Sequence, residues 1–178
     1  SMFLVSDLVF GLEIFQDLEQ SHLPVLAELI TPVFFEQNEM IIVCGDEICD
    51  IMIMSSGVAT VFDSDGDYAS EAEREASFGH EALCVVDQEV PHWDYSLVAT
   101  EFSELLTIPV QALTAAFEFD PIFAKLKARA EKVPTVVDEA AASGLPASEQ
   151  LSELDRLRLK QAFDVADDNK SGEIDMEE

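Results

Sequence analysis

Basic residues are nearly missing from the first two thirds of this chain. Nine Lys and Arg stand against 37 Asp and Glu in 178 residues, a formal net charge of −28. Between residues 1 and 124 the only one is Arg74. The other eight are Lys125, Lys127, Arg129, Lys132, Arg156, Arg158, Lys160 and Lys170. Such a surface repels nucleic acid and anionic lipid and favours cations and basic partners. An anionic ligand of the first region has at most one permanent cation to meet. Long apolar runs are lacking too, and no signal peptide is present, so a soluble chain is expected. Cysteine is sparse: Cys44, Cys49 and Cys84 have no metal-ligand spacing with His22, His80 or His92, and read as reduced, half-buried cytosolic thiols. No Ser-His-Asp or Cys-His arrangement has supporting context, so no enzyme is expected.

What is present is half apolar, ample for a core plus an appendage. Ser1-Met2 reads as a tag-removal scar and is set aside. Leu4, Val5, Leu8, Val9 and Leu12 have helical spacing, and Ser21 is a candidate cap for a helix through Ile30 that Thr31-Pro32 stops. From Val33 the period shortens. Val33–Phe35, Met40–Val43, Ile51–Met54 and Val58–Phe62 are short apolar or β-branched runs parted by turn residues, with Tyr95–Phe102 and Glu104–Ile108 as closing strands. Asp63–Glu75 reads as a mobile acidic loop. Helical spacing returns at Val110–Phe117 and before Lys132. The pattern predicts an α+β fold, an antiparallel jelly-roll-like β-roll with flanking helices over residues 3–132. Residues 133–148 read as a linker, and 149–178 as a separate C-terminal unit.

The stretch that organises the first unit is Phe78-Gly79-His80-Glu81-Ala82-Leu83, followed by Trp93-Asp94-Tyr95-Ser96-Leu97-Val98-Ala99. It reads as a tight turn opening one helical turn, whose outward N–H groups suit an anion. Here residues 4–132 resemble the cyclic nucleotide-binding domain. That family's phosphate cassette reads Phe-Gly-Glu-x-Ala-Leu, then Arg-x-Ala-Ser/Thr-Val-x-Ala. Gly45 and Gly57, twelve residues apart, match its turn glycines; Asn38 replaces another, and Ile48 a third. Leu12-Glu13-Ile14-Phe15 with Leu26-Ala27-Glu28-Leu29 looks most like the version below the pore of voltage-gated cation channels. The resemblance implies a nucleotide pocket formed by Phe78, Gly79, His80, Glu81, Ala82, Leu83, Trp93, Tyr95 and Ser96, in degenerate form. Trp93 stands at the phosphate-binding Arg and His80 at the ribose-binding Glu, with Glu81 one residue out of register. Losing a bidentate Arg forfeits about 1.5–3 kcal/mol, so normal cAMP or cGMP binding is not expected. Trp93 and Tyr95 could stack on a planar ligand or fill the pocket, and filling is the expectation.

The chain's ending is its sharpest signal. Glu149–Ala166 carries Leu151, Leu154, Leu157, Leu159 and Phe163 at mostly helical spacing. The twelve residues Asp167–Glu178 then match an EF-hand calcium loop. Asp167, Asn169 and Ser171 supply oxygens at positions 1, 3 and 5, with Gly172 at the sharp turn. Glu173 offers its carbonyl, Asp175 acts directly or through water, and Glu178 is the bidentate ligand. The exiting helix is missing, so a truncated hand within a piece of a longer protein is expected.

Together these point to a regulatory module on the cytoplasmic side of a membrane. It would serve a voltage-gated, potassium-type cation channel, tetrameric in the parent, under calcium control. Calcium and the rest of the parent channel are the expected partners. The alternatives are a cyclic nucleotide-binding regulatory subunit and a calcium-dependent signalling scaffold.

Overall fold

A computed structural model describes residues 2–85 and 88–142. The expected calcium ligands Asp167, Asn169, Ser171, Glu173, Asp175 and Glu178 therefore lie outside the described residues, as does the helix expected from Glu149.

The N-terminal helix α1 (Met2–Gly11) is followed by two short 3₁₀ turns and α2 (Leu23–Leu29). The entry to α2 is not capped by Ser21. Glu19 and His22 cap each other's backbone instead, with Glu19 N–H donating to His22 Nδ1 at 3.1 Å, and Pro24 sits in the first turn where its missing N–H costs nothing. Eight strands follow: β1 (Thr31–Phe35), β2 (Met40–Ile42), β3 (Asp50–Ser56), β4 (Ala59–Phe62), β5 (Tyr68–Ala72), β6 (Ser77–Phe78), β7 (Ser96–Ala99) and β8 (Ser103–Pro109). They form two antiparallel four-stranded sheets, ordered β1-β8-β3-β6 and β2-β7-β4-β5. Three helices close the described part: α3 (Val110–Phe117), α4 (Ile122–Lys132) and α5 (Val136–Ala142). No helix among the described residues is long and apolar enough to cross a membrane.

Strand alternation sorts the side chains. On β3, Ile51 and Ile53 face the helices, while Met52 and Met54 face the space between the sheets. On β8, Leu106 and Ile108 take the helix side and Leu105 the inner side. One core therefore lies between the β1-β8-β3-β6 sheet and the helices, with Phe15, Leu26, Leu113, Phe117 and Leu126 from the helical layer. The other fills the roll, with Val61, Leu97, Phe78, Trp93 and Tyr95 among its members. Asn38 takes a left-handed φ of 72°, as its place at a turn requires.

Two further expectations change. The span Asp63–Glu75 is not all loop: Tyr68–Ala72 pairs antiparallel with β4 as the outer strand β5, Ala59 opposite Ala72 and Val61 opposite Ser70. Asp63 starts the turn by accepting N–H bonds from Asp65 and Asp67, and Gly66 supplies a left-handed φ of 83°. The span expected to be a linker also begins inside the folded unit, because α5 packs Val136 and Val137 against the roll's interior. Thr135 and Asp138 cap α5 reciprocally, each backbone N–H meeting the other's side chain at 3.2 Å. Residues 143–148 lie outside the described part.

Candidate functional site

The cassette joins β6 to β7. Phe78 ends β6 as a fully buried ring of the roll core. Gly79 then turns the chain with a φ of 94°. Only glycine fits there, since an added Cβ would lie 2.6 Å from the Asp50 carbonyl oxygen and 3.0 Å from the Trp93 ring. His80–Cys84 form one 3₁₀ turn, as expected of the cassette's short helix. The turn straddles both cores: Ala82 enters the roll and Leu83 the helix-side core.

Trp93 and Tyr95 occupy the roll. Trp93 is 5% exposed and Tyr95 1%, and their rings meet edge to face with centroids 5.5 Å apart. Phe78 completes the cluster, 6.3 Å from Tyr95. Backbone bonds anchor Trp93 from both sides: its N–H donates to Asp46 at 2.8 Å, and its carbonyl accepts from Gly45 at 2.7 Å. Ser96 is buried, and its hydroxyl accepts the Cys44 N–H at 3.1 Å. The side chain at the expected phosphate-Arg position is thus an indole held in the core.

His80 points away from the roll. It is 2% exposed, and its Nε2 lies 2.9 Å from the Val133 carbonyl, at the junction of α4 and α5. The carbonyl can only accept, so Nε2 carries the proton, and buried Nδ1 has no partner among the described residues. Burial pushes the imidazole's pKa down, against the carbonyl contact and the carboxylates Asp138, Glu139 and Glu13.

Glu81 turns towards the roll. Its Oε1 is 3.5 Å from the Tyr95 hydroxyl, at the limit of a hydrogen bond, and Oε2 is buried without a partner. Burial, helped by nearby Asp94, pushes this carboxyl up to about 7. The same burial, with Glu81 and Asp94 beside it, drives the Tyr95 phenol far above its ordinary range. The charged neighbours that Glu81 and Tyr95 feel are carboxylates. Arg74, the base nearest in sequence, donates to the Ser55 carbonyl, and Arg129 pairs with Asp17 at 3.2 Å.

The structure therefore brings Phe78, Gly79, Ala82, Trp93 and Tyr95 together inside the roll, and sends His80 and Leu83 to the helical side. Sequence reasoning missed the part played by Val133, Val136 and Val137, which bring α4 and α5 onto the cassette and roll. Their signal was legible: Pro134-Thr135-Val136-Val137-Asp138 is a helix start with a capping box.

No protein-family model matches the chain. No curated protein matches it. Solved structures do. The C-linker/CNBHD of zELK channels, crystallised in the presence of cAMP, superposes with a TM-score of 0.62 at 18% identity, covering 73% of this chain and 68% of that one. The N-terminal domain of a transcriptional regulator from Streptomyces coelicolor A3(2) gives 0.60 at 15% identity, covering 71% and 90%. A protein from Geobacter metallireducens GS-15, named for cyclic nucleotide binding, gives 0.56 at 17% identity, covering 75% and 92%. Two antiparallel sheets, flanking helices and these likenesses show that the chain has the fold of a cyclic nucleotide-binding domain.

Proposed function

We propose that this chain is a regulatory module whose roll is filled by its own side chains and does not take cAMP or cGMP in the usual way. The observation that carries the reading is Trp93, an indole 5% exposed at the position where the family's cassette places its phosphate-pairing Arg. A cyclic phosphate entering there would displace packed aromatics, meet the carboxyls of Glu81 and Asp94, and find no bidentate cation among the described residues. Val136 and Val137 of α5, packed against the same interior, support the reading from the other side.

In this proposal the module belongs to the cytoplasmic side of a voltage-gated, potassium-type cation channel, tetrameric in the parent, and is not an enzyme. The likeness to the C-linker/CNBHD of zELK channels favours that setting. Calcium would enter through Asp167, Asn169, Ser171, the Glu173 carbonyl, Asp175 and Glu178, whose spacing supplies the hard oxygens it needs. Ordering that loop would reposition the helix expected from Glu149 and pull on α5, shifting the roll. A second reading, a cyclic nucleotide-binding regulatory protein without a channel, is favoured by the likeness to the Geobacter metallireducens protein, which covers 92% of that chain.

Calorimetric titration with cAMP and cGMP, first in EDTA and then in millimolar calcium, separates the readings. Silence with both nucleotides is expected, and micromolar binding in EDTA would overturn the filled roll. A heat of calcium binding lost on Glu178→Gln is expected for the loop, and an unchanged heat would remove calcium from the proposal.

A further inference from the structure

An open groove of about 680 Å³ lies outside the roll, between the cassette and the start of α3. Its apolar lining includes Ile48, Ala82, Val85, Val90 and Val110, of which Ile48 and Ala82 are buried and Val90 is 51% exposed. Among the described residues that line it are three carboxylates, Glu47, Asp50 and Glu89, and no Lys or Arg. None of the three has an ion-pair partner among the described residues. On the far wall Val110 and Thr114 are four residues apart on α3, so they form one ridge of that helix.

We propose that this groove is a docking site for a basic amphipathic helix of a partner protein. The occupant's chemistry follows from the lining. Leucine-sized side chains at helical spacing would lie against the Val110–Thr114 ridge and bury Val90, the apolar surface now left in water. Lysine or arginine on the flanks would meet Glu47, Asp50 and Glu89, which have no counter-charges among the described residues. An acidic or neutral helix would leave those carboxylates facing nothing, and the −28 net charge would repel an acidic one during approach. Because Ala82 belongs both to the groove and to the cassette's 3₁₀ turn, a seated helix would press on the element that separates the two cores. This would give a partner access to the cassette without entering the roll, whatever the roll itself binds.

Cys49 supplies a native reporter, since it lines the groove and is exposed, whereas Cys44 and Cys84 are half-buried and do not line it. The probe is a synthetic amidated peptide of roughly 16 residues, about four turns, with leucine at positions three and four apart and lysine elsewhere. A scrambled peptide of the same composition is the control. Iodoacetamide alkylation of the full chain is followed at each cysteine by peptide mapping. With the peptide at ten times its Kd about nine sites in ten are filled, so Cys49 should react about tenfold more slowly while Cys44 and Cys84 keep their rates. Val90→Asp adds a carboxylate but removes the apolar contact. It should abolish the protection, whereas purely electrostatic attraction predicts that it strengthens. Glu47→Lys with Glu89→Lys should weaken binding without disturbing the fold of these exposed sites. The inference is overturned if Cys49 keeps its rate with the peptide bound, if the scrambled peptide protects equally, or if Val90→Asp leaves protection intact.

Discussion

The two faces of the β1-β8-β3-β6 sheet are buried in different ways. Against the helices, Ile51, Ile53, Leu106 and Ile108 meet Leu26, Leu113 and Leu126, a mainly aliphatic layer with Phe15 and Phe117 buried in it. Inside the roll the same strands meet Phe78, Trp93 and Tyr95, with the carboxyl of Glu81 touching the cluster. The cassette contributes to both, through Leu83 on one side and Ala82 on the other. Among the described residues three buried side-chain atoms lack hydrogen-bond partners, and two of them belong to the adjacent cassette residues His80 and Glu81. Unsatisfied polar groups are costly, so their concentration in one turn marks it as the place where packing yields to something other than stability. The helix side is an aliphatic scaffold, and the roll side holds the aromatic cluster with the Glu81 carboxyl against it.

The largest effects should come from deleting one large side chain on each side. Trp93→Ala and Leu126→Ala should each lower unfolding free energy by about 3–5 kcal/mol, measured by denaturant titration. Only Trp93→Ala should also speed amide exchange in α5, because Val136 and Val137 pack on the core that Trp93 fills. Equal effects on α5 would erase the distinction between the cores.

Proton linkage gives the next test. Glu81 has a folded-state pKa raised from 4.5 to about 7, so the folded chain holds that proton more tightly than the unfolded one. Stability fully present below 4.5 should be lost as pH rises to about 7, by up to about 3 kcal/mol. Glu81→Gln should flatten that slope in denaturant titrations across this range. An unchanged slope would show that Glu81 is hydrated and the roll is open beside it. His80 acts in the opposite sense: burial lowers its pKa from 6.5, so its contribution is present above that value and lost as pH falls below it. Leu126→Ala leaves both groups in place and should lower stability without changing its pH dependence.

The smallest effect is expected at the cap of α5. Thr135→Ala removes one side of the reciprocal cap and should cost about 1 kcal/mol, seen as faster amide exchange confined to residues 136–142. A global loss of stability instead would show that α5 is integral to the whole fold rather than a cover on the roll.

Much of this was legible in the residues. Ile51-Met52-Ile53-Met54 is apolar on both faces because both faces of β3 are buried, and Gly45 and Gly57 do turn the chain with positive φ. The cassette's turn and the Trp93–Tyr95 filling could be read from residue type and the family pattern. Strand β5 could not, because an outer strand written Tyr-Ala-Ser-Glu-Ala is buried only at Ala72 and has no β-branched residue. Helix α5 was legible only in its start, Pro134-Thr135-Val136-Val137-Asp138; that its two valines pack on the roll was not, because their place comes from contact rather than from helix propensity. The direction of His80 was equally hidden, because it depends on where the α4–α5 junction passes, more than fifty residues later in the chain.

Trp93 is the only tryptophan in the chain, so its fluorescence reports on the central claim without any substitution. The filled roll predicts blue-shifted emission, poor quenching by iodide, and no change when cAMP or cGMP is added. Red-shifted emission with ready quenching, or a spectral change on adding nucleotide, would contradict it, because the indole would then be lining an accessible pocket instead of filling it.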